Sequence, residues 1–367
     1  YRVLVEKDPS NAAAHAALAG LYMGDAAAAP LAIEEHRHLL KLEPARVESV
    51  QALFKLWAGI KQSDKAFCAA GVLHFFRSAR EAEVAFYAEG RNRLPQEPAN
   101  RLLPPEVDLV MHPKLRNSPL VEVLRAIGDQ LGKLYPPDFE ALGIDRRVDR
   151  LKPDHAVHKA IRAAAHVFGV EEFEVYQARR GLMFLETTEP LAICVGQDVV
   201  RKFNAREQKF LIGRALFGLL NKTPVLHKLP LAEVADLLGN AVRAVYPEYE
   251  GLGRRNDEMV KQLRKTLSRK ALKALEAAAP AMTSVKHLDL AQVLEWFSCS
   301  ADRAGLVLCG DVAAGINMLL REDPSSSPLK SDAVAEAVQT RADLREAIAF
   351  TVSDDFFRLR QKLGFAV

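Results

Sequence analysis

Hydrophobic positions in the first ninety residues recur at helical spacing. Leu18 and Tyr22, then Leu53 and Trp57, stand four apart, and residues so spaced meet on one helix face. Pro9 and Pro44, 35 positions apart, each close an apolar run, because proline lacks the amide hydrogen a helix interior needs. The period changes after Glu172. Residues 173–178 and 182–186 read as short strands joined across 179–181, and 191–195 as a third, fully apolar strand ending at Gly196. Helix returns over 204–220, where Asn204 suits an N-cap and Glu207 a first turn. The apolar stripes Val334, Ala337, Val338 and Phe356, Phe357, Leu359, Leu363 predict closing helices over 331–350 and 353–363. This patterning predicts a mostly α chain with a small β-sheet, an α+β fold.

Between the two prolines lie Leu18-Ala19-Gly20-Leu21-Tyr22, Ala32 and Leu39-Leu40, and the next unit repeats them with Leu53, Trp57, Ala66 and Leu73. This resembles the tetratricopeptide repeat, a helix–turn–helix unit of about 34 residues. The resemblance implies a helical solenoid over 1–91 with a concave surface suited to peptides, and makes Tyr22 and Trp57 candidate partner-binding residues. About three such units are usually needed to bury one another's apolar faces, so further repeats are expected upstream of Tyr1.

Six of the 19 prolines (Pro95, Pro98, Pro104, Pro105, Pro113, Pro119) fall within one short stretch. They predict an extended connection over 92–119, packed as a strap through Leu102, Leu103, Val107, Leu109, Val110 and Met111. Helices are expected at 120–134, stopped by Pro136-Pro137, and from Pro153 to Phe168. The expected domains are therefore 1–91 (repeats), 92–150 (strap and connecting helix) and 151–367.

Composition narrows the class. Forty-nine per cent hydrophobic and 26% charged residues describe a folded chain, not a disordered one. No run of 18 apolar residues free of charge is present, so no membrane span is expected. Fifty basic against 47 acidic residues leave +3, too little to imply a polyanionic partner. Four scattered cysteines (Cys68, Cys194, Cys299, Cys309) form no CxxC pair, which fits a reducing, cytoplasmic compartment.

The third segment carries the sharpest signal. A strand, a short helix, the 204–220 helix and the later Ser300-Ala301-Asp302-Arg303-Ala304-Gly305-Leu306 follow one another. The order resembles the HExxH zinc peptidases that include the heat-shock membrane peptidases and the CAAX prenyl proteases. The resemblance spans 154–320 and implies a zincin-like domain. In that family two histidines and a downstream glutamate hold zinc, and a further glutamate polarises the water. HExxH falls here on Arg214-Ala215-Leu216-Phe217-Gly218, and the first residue of ExxAD on Ser298. Arg214, Ala215, Gly218, Ser298 and Asp302 are thus degenerate metal-site positions. Alanine and glycine offer no donor atom, and guanidinium cannot ligate a cation. No metal, cofactor or catalytic residue is expected. The retained Asp302 suggests that Arg214 occupies the vacated metal position and pairs with it; the alternative is an exposed Arg214 with Asp302 paired locally.

None of the ten histidines lies in the 204–220 helix. His155 and His158 share a face without a carboxylate at ligand spacing. Within the mostly helical insertion 221–288, Lys261, Lys265, Arg269 and Lys273 stack at i,i+4 over 256–278, opposite Val260, Leu263, Leu267 and Ala274. A solvated face is the expected reading there, with nucleic acid the lesser one. The loop 322–328 reads as plain connection. The functional expectation is a non-catalytic adaptor that binds another protein or peptide. The alternative is a hydrolase with a non-standard site near Arg214, Ser298 and Asp302.

Overall fold

The computed structural model describes residues 1–285, 288–321 and 330–367. The loop 322–328 and His287 lie outside the described residues. The chain is mostly helical with one three-stranded sheet. It gathers into two compact units: Tyr1–Arg101, Ala205–Phe210 and Gly305–Val367 form one, and Leu102–Asn204 with Leu211–Ala304 form the other. This division differs from the three consecutive segments 1–91, 92–150 and 151–367, because the C-terminal helices fold with the N-terminal ones.

In the first unit, α1 (Arg2–Lys7), α2 (Ala12–Tyr22), α3 (Ala29–Leu42), α4 (Val47–Gly59), α5 (Ser63–Phe76) and α6 (Glu81–Arg93) follow in order. Asn11 starts α2 by accepting from the Ala14 amide at 2.9 Å, as an N-cap does. Neighbours in sequence pack as neighbours: α2 on α3, α3 on α4, α4 on α5, α5 on α6. Gly90 makes one of these approaches possible, since a Cβ there would lie 2.5 Å from the Phe67 ring.

The second unit holds α7 (Pro104–Val110), α8 (Pro119–Ile127), α9 (Ala156–Phe168), β1 (Glu174–Ala178), β2 (Met183–Glu186), β3 (Ala192–Gly196) and α10 (Gln197–Lys202). The expected extended stretch 92–119 is interrupted by α7. Its two prolines occupy the first helical turn, where the missing amide hydrogen would have had no partner in any case. The strap packs through Leu102, Val110 and Met111, which are buried, while Leu103 is exposed. The helix expected at 120–134 ends earlier, at Ile127, and continues as a 3-10 turn over Gly128–Lys133.

The strand order is β1-β3-β2. Although β1 and β2 are joined by a short link, they do not pair: β3 lies between them, parallel to β1 and antiparallel to β2. Every residue of β3 is buried, as a central strand requires. Ile144, Tyr176, Ala178, Ala192 and Cys194 cluster on the sheet, with Phe139 and Leu142 against them.

Helix α11 (Ala205–Leu220) follows, then α12 (Leu231–Val245), α13 (Asp257–Thr266), α14 (Arg269–Thr283) and α15 (Leu290–Cys309). In the first unit α16 (Val312–Leu320), α17 (Ser331–Thr340), α18 (Ala342–Thr351) and α19 (Asp354–Leu363) close the chain. The helix expected over 331–350 is two helices, parted at Arg341, whose extended backbone separates α17 from α18. Helices α16, α17 and α18 pack on α5, and α18 also on α3.

No helix among the described residues is long and apolar enough to cross a membrane.

Candidate functional site

The degenerate motif positions lie on the parts of α11 and α15 that belong to the second unit. Helix α11 ends where Lys222 adopts a left-handed backbone (φ 56°) and the Thr223 amide donates to the Gly218 carbonyl at 3.0 Å. That geometry is a helix C-cap, usually occupied by glycine. The side chain of Asn221 fixes the same corner, accepting from Arg125 Nη2 at 2.9 Å and donating to the Phe217 carbonyl at 3.0 Å.

Arg214 and Asp302 come together. Nη1 of Arg214 lies 3.2 Å from Oδ1 of Asp302; the arginine side chain is 39% exposed and the aspartate 4%. The guanidinium thus bridges a buried carboxylate and the surface. Ala215 is buried. A Cβ on Gly218 would lie 2.3 Å from Cδ1 of Leu185 on β2 and 3.0 Å from the Thr223 hydroxyl. The space beside Gly218 is therefore occupied by the sheet. Ser298 sits one turn before Asp302 on α15 and is half-buried; among the described residues no group hydrogen-bonds its hydroxyl. A hydrolase built on Ser298 would need a base on that oxygen.

The zinc implied by the peptidase resemblance does not fit these residues. They supply a guanidinium, a methyl group, a hydrogen atom and a hydroxyl where imidazoles and carboxylates are needed. Among the described residues no three of His, Cys, Asp and Glu gather as a metal-holding group. His227, in the turn after α11, is held below the ordinary imidazole range by desolvation and then by the Arg214 cation.

Two residues before Asp302 on α15, Ser300 ties the strap down. Its hydroxyl accepts from the His112 amide at 2.8 Å and donates to the Trp296 carbonyl at 2.6 Å. The His112 ring stacks on Trp296 at 5.6 Å, and Arg303 donates to the Met111 carbonyl at 3.2 Å. Cys299 is buried.

The other candidates scatter. Trp57 is 1% exposed and meets the edge of Phe357 on α19 at 5.4 Å. It packs as core, not as an open binding surface. Tyr22 is half-buried and accepts from Arg2 Nε at 2.8 Å. The basic stripe is not continuous: Lys261 and Lys265 belong to α13, Arg269 and Lys273 to α14. Ser268 caps α14 by accepting from the Ala271 amide, and Leu267 leaves the helix to bury its side chain. Ala274, expected on the buried side, is exposed.

Sequence reasoning missed the polar groups inside the first unit. Arg360 binds both oxygens of Asp64 and donates to the carbonyls of Gly310 and Phe365. Asp311 accepts from the Tyr87 hydroxyl, lies 2.9 Å from Arg91 Nε, and caps α16 through the Ala314 amide. Arg206 donates to the Leu94, Pro95 and Cys309 carbonyls. The one sequence signal was Arg360 inside the apolar stripe Phe356, Phe357, Leu359, Leu363, where a charge demands a partner.

Compared with protein-family models, with curated proteins and with solved structures, the chain matches none.

Proposed function

We propose that the chain is a non-catalytic adaptor that binds another protein through an extended peptide segment at the outer edge of β2. The observation that carries this reading is the pairing of Arg214 with Asp302 next to a glycine whose free side is filled by Leu185. Such a site offers neither a Lewis acid nor an activated water. Strand β2, which supplies Leu185, is the end strand of its sheet, and Phe184 on it is exposed. An end strand presents unpaired amides and carbonyls, to which an extended peptide adds by main-chain hydrogen bonds. The sheet edge is preferred to the repeat-like helices because Trp57 is buried against Phe357, and α3 and α5 receive the C-terminal helices.

Panning displayed peptides on the purified chain tests the reading. We expect enriched extended peptides whose binding is lost in Phe184→Lys and kept in a substitution at the exposed Val148, which lies on no strand. Chelator-sensitive cleavage of those peptides after zinc is added would overturn it. So would binding that Phe184→Lys leaves untouched.

A further inference from the structure

A cavity of about 520 Å³ opens beside α9, lined by Pro153, His158, Lys159, Arg162, Ala163 and His166. Every ionisable side chain on this wall is a cation or an imidazole. Positions 158, 162 and 166 recur at one helical turn, so these groups climb one face of α9.

Two of them are held in place by the same aromatic ring. The Arg162 guanidinium lies over Phe173 at 4.3 Å and donates from Nη1 to the Glu171 carbonyl. Its other N–H groups meet no protein acceptor among the described residues. The His158 ring stacks on Phe173 at 5.9 Å. His158 is only 5% exposed, and its Nδ1 is buried without a hydrogen-bond partner. Burying a polar nitrogen in this way is costly unless something fills its bond. The side chains of Lys159 and His166 make no hydrogen bond or ion pair among the described residues. Guanidinium, ammonium and imidazole donors around one hollow, with no carboxylate on its wall, match an oxyanion.

We propose that this cavity binds a small organic phosphate. The phosphate sits between Lys159 and Arg162, the imidazoles of His158 and His166 serve as further donors, and the organic part rests against Pro153 and Ala163. A carboxylate is satisfied by a single guanidinium fork. Four donor groups over two helical turns suit instead the three terminal oxygens and near-double charge of a phosphate monoester. The volume falls within the roughly 300–1,000 Å³ of small-molecule sites. This cavity is built without β2, Arg214 or Asp302, so it stands apart from the adaptor reading.

Phenyl phosphate is the probe, titrated into the full chain by calorimetry and by the imidazole proton resonances of the histidines at constant pH. We expect saturable binding with a dissociation constant below about 1 mM, weaker binding of inorganic phosphate, and none of phenol. Arg162→Gln and Lys159→Gln should each weaken binding about tenfold, the loss of one charge-assisted contact. Lys159→Gln removes no protein contact, so it reports on the site even if Arg162→Gln loosens α9. Absence of saturation, equal affinity in Lys159→Gln and the parent, or equal binding of phenol and phenyl phosphate would each overturn the assignment.

Discussion

Arg360, which has no exposed surface, holds both carboxylate oxygens of Asp64, 296 positions earlier in the chain. The pair joins α19 to the start of α5, and the same guanidinium reaches the Gly310 and Phe365 carbonyls. One buried cation thus fixes the ends of three helices, α5, α15 and α19.

Removing the aspartate charge should therefore be expensive. Asp64→Asn leaves the cation buried and uncompensated, and should lower the unfolding free energy by about 3–5 kcal/mol in urea denaturation. The double change Asp64→Leu with Arg360→Met should lie closer to the parent than either single change, since replacing a whole buried pair often costs little. A loss below about 1 kcal/mol for Asp64→Asn would place the pair with ordinary surface ion pairs.

Two helical glycines should respond differently to alanine. At Gly239 an added Cβ would lie 1.9 Å from the Leu252 carbonyl oxygen, part of a loop already gripped by Arg243. Gly239→Ala should cost at least about 2 kcal/mol, because backbone must move. At Gly218 the obstacle is the tip of Leu185, which can swing, and alanine favours helix. Gly218→Ala should stay within about 1 kcal/mol of the parent by thermal unfolding. A histidine at 218 is larger, so a variant carrying Arg214→His, Ala215→Glu, Gly218→His and Ser298→Glu should bind stoichiometric zinc only with Leu185→Ala alongside.

Stability should fall on mild acidification through His36. Burial, and then the Arg46 cation, lower its pKa from 6.5 to about 4. A folded-state value below the unfolded one means the unfolded chain binds the proton first. The contribution is complete above about pH 6.5 and disappears as pH falls toward 4. The urea midpoint should drop across that window, and His36→Gln should flatten the drop.

The thiols should be inert until the chain unfolds. All four cysteines are buried; burial lifts Cys194 and Cys309 to about 12 and Cys68 higher still. Since the thiolate is the reactive form, mass spectrometry after iodoacetamide at neutral pH should find almost no label in the native protein and four labels in denaturant. Rapid native labelling at any of them would contradict this packing.

What the sequence made legible was local. Pro9, Pro44 and the Leu18/Tyr22 and Leu53/Trp57 pairs bound the first helices because proline and i,i+4 contacts act within one or two turns. The three strands were readable from their apolar runs, yet their order was not: placing β3 between β1 and β2 depends on which edges meet in space. Pro104-Pro105 suggested extended chain because proline's effect reverses with its position in a helix. The basic stripe broke at Ser268, where a cap and the burial of Leu267 outweighed helical continuity. The approach of Arg214 to Asp302 was visible only by laying a motif over the chain. Leu185 beside Gly218 was not visible, since nothing near Gly218 in sequence announces which strand covers it.

The separation of Asp64 from Arg360 has a consequence during synthesis. At roughly 5–20 residues per second, the ribosome delivers the arginine roughly 15–60 s after the aspartate. For that interval the early helices carry Trp57 without Phe357 and Asp64 without its cation. The early helices thus complete this packing only after α19 has left the ribosome.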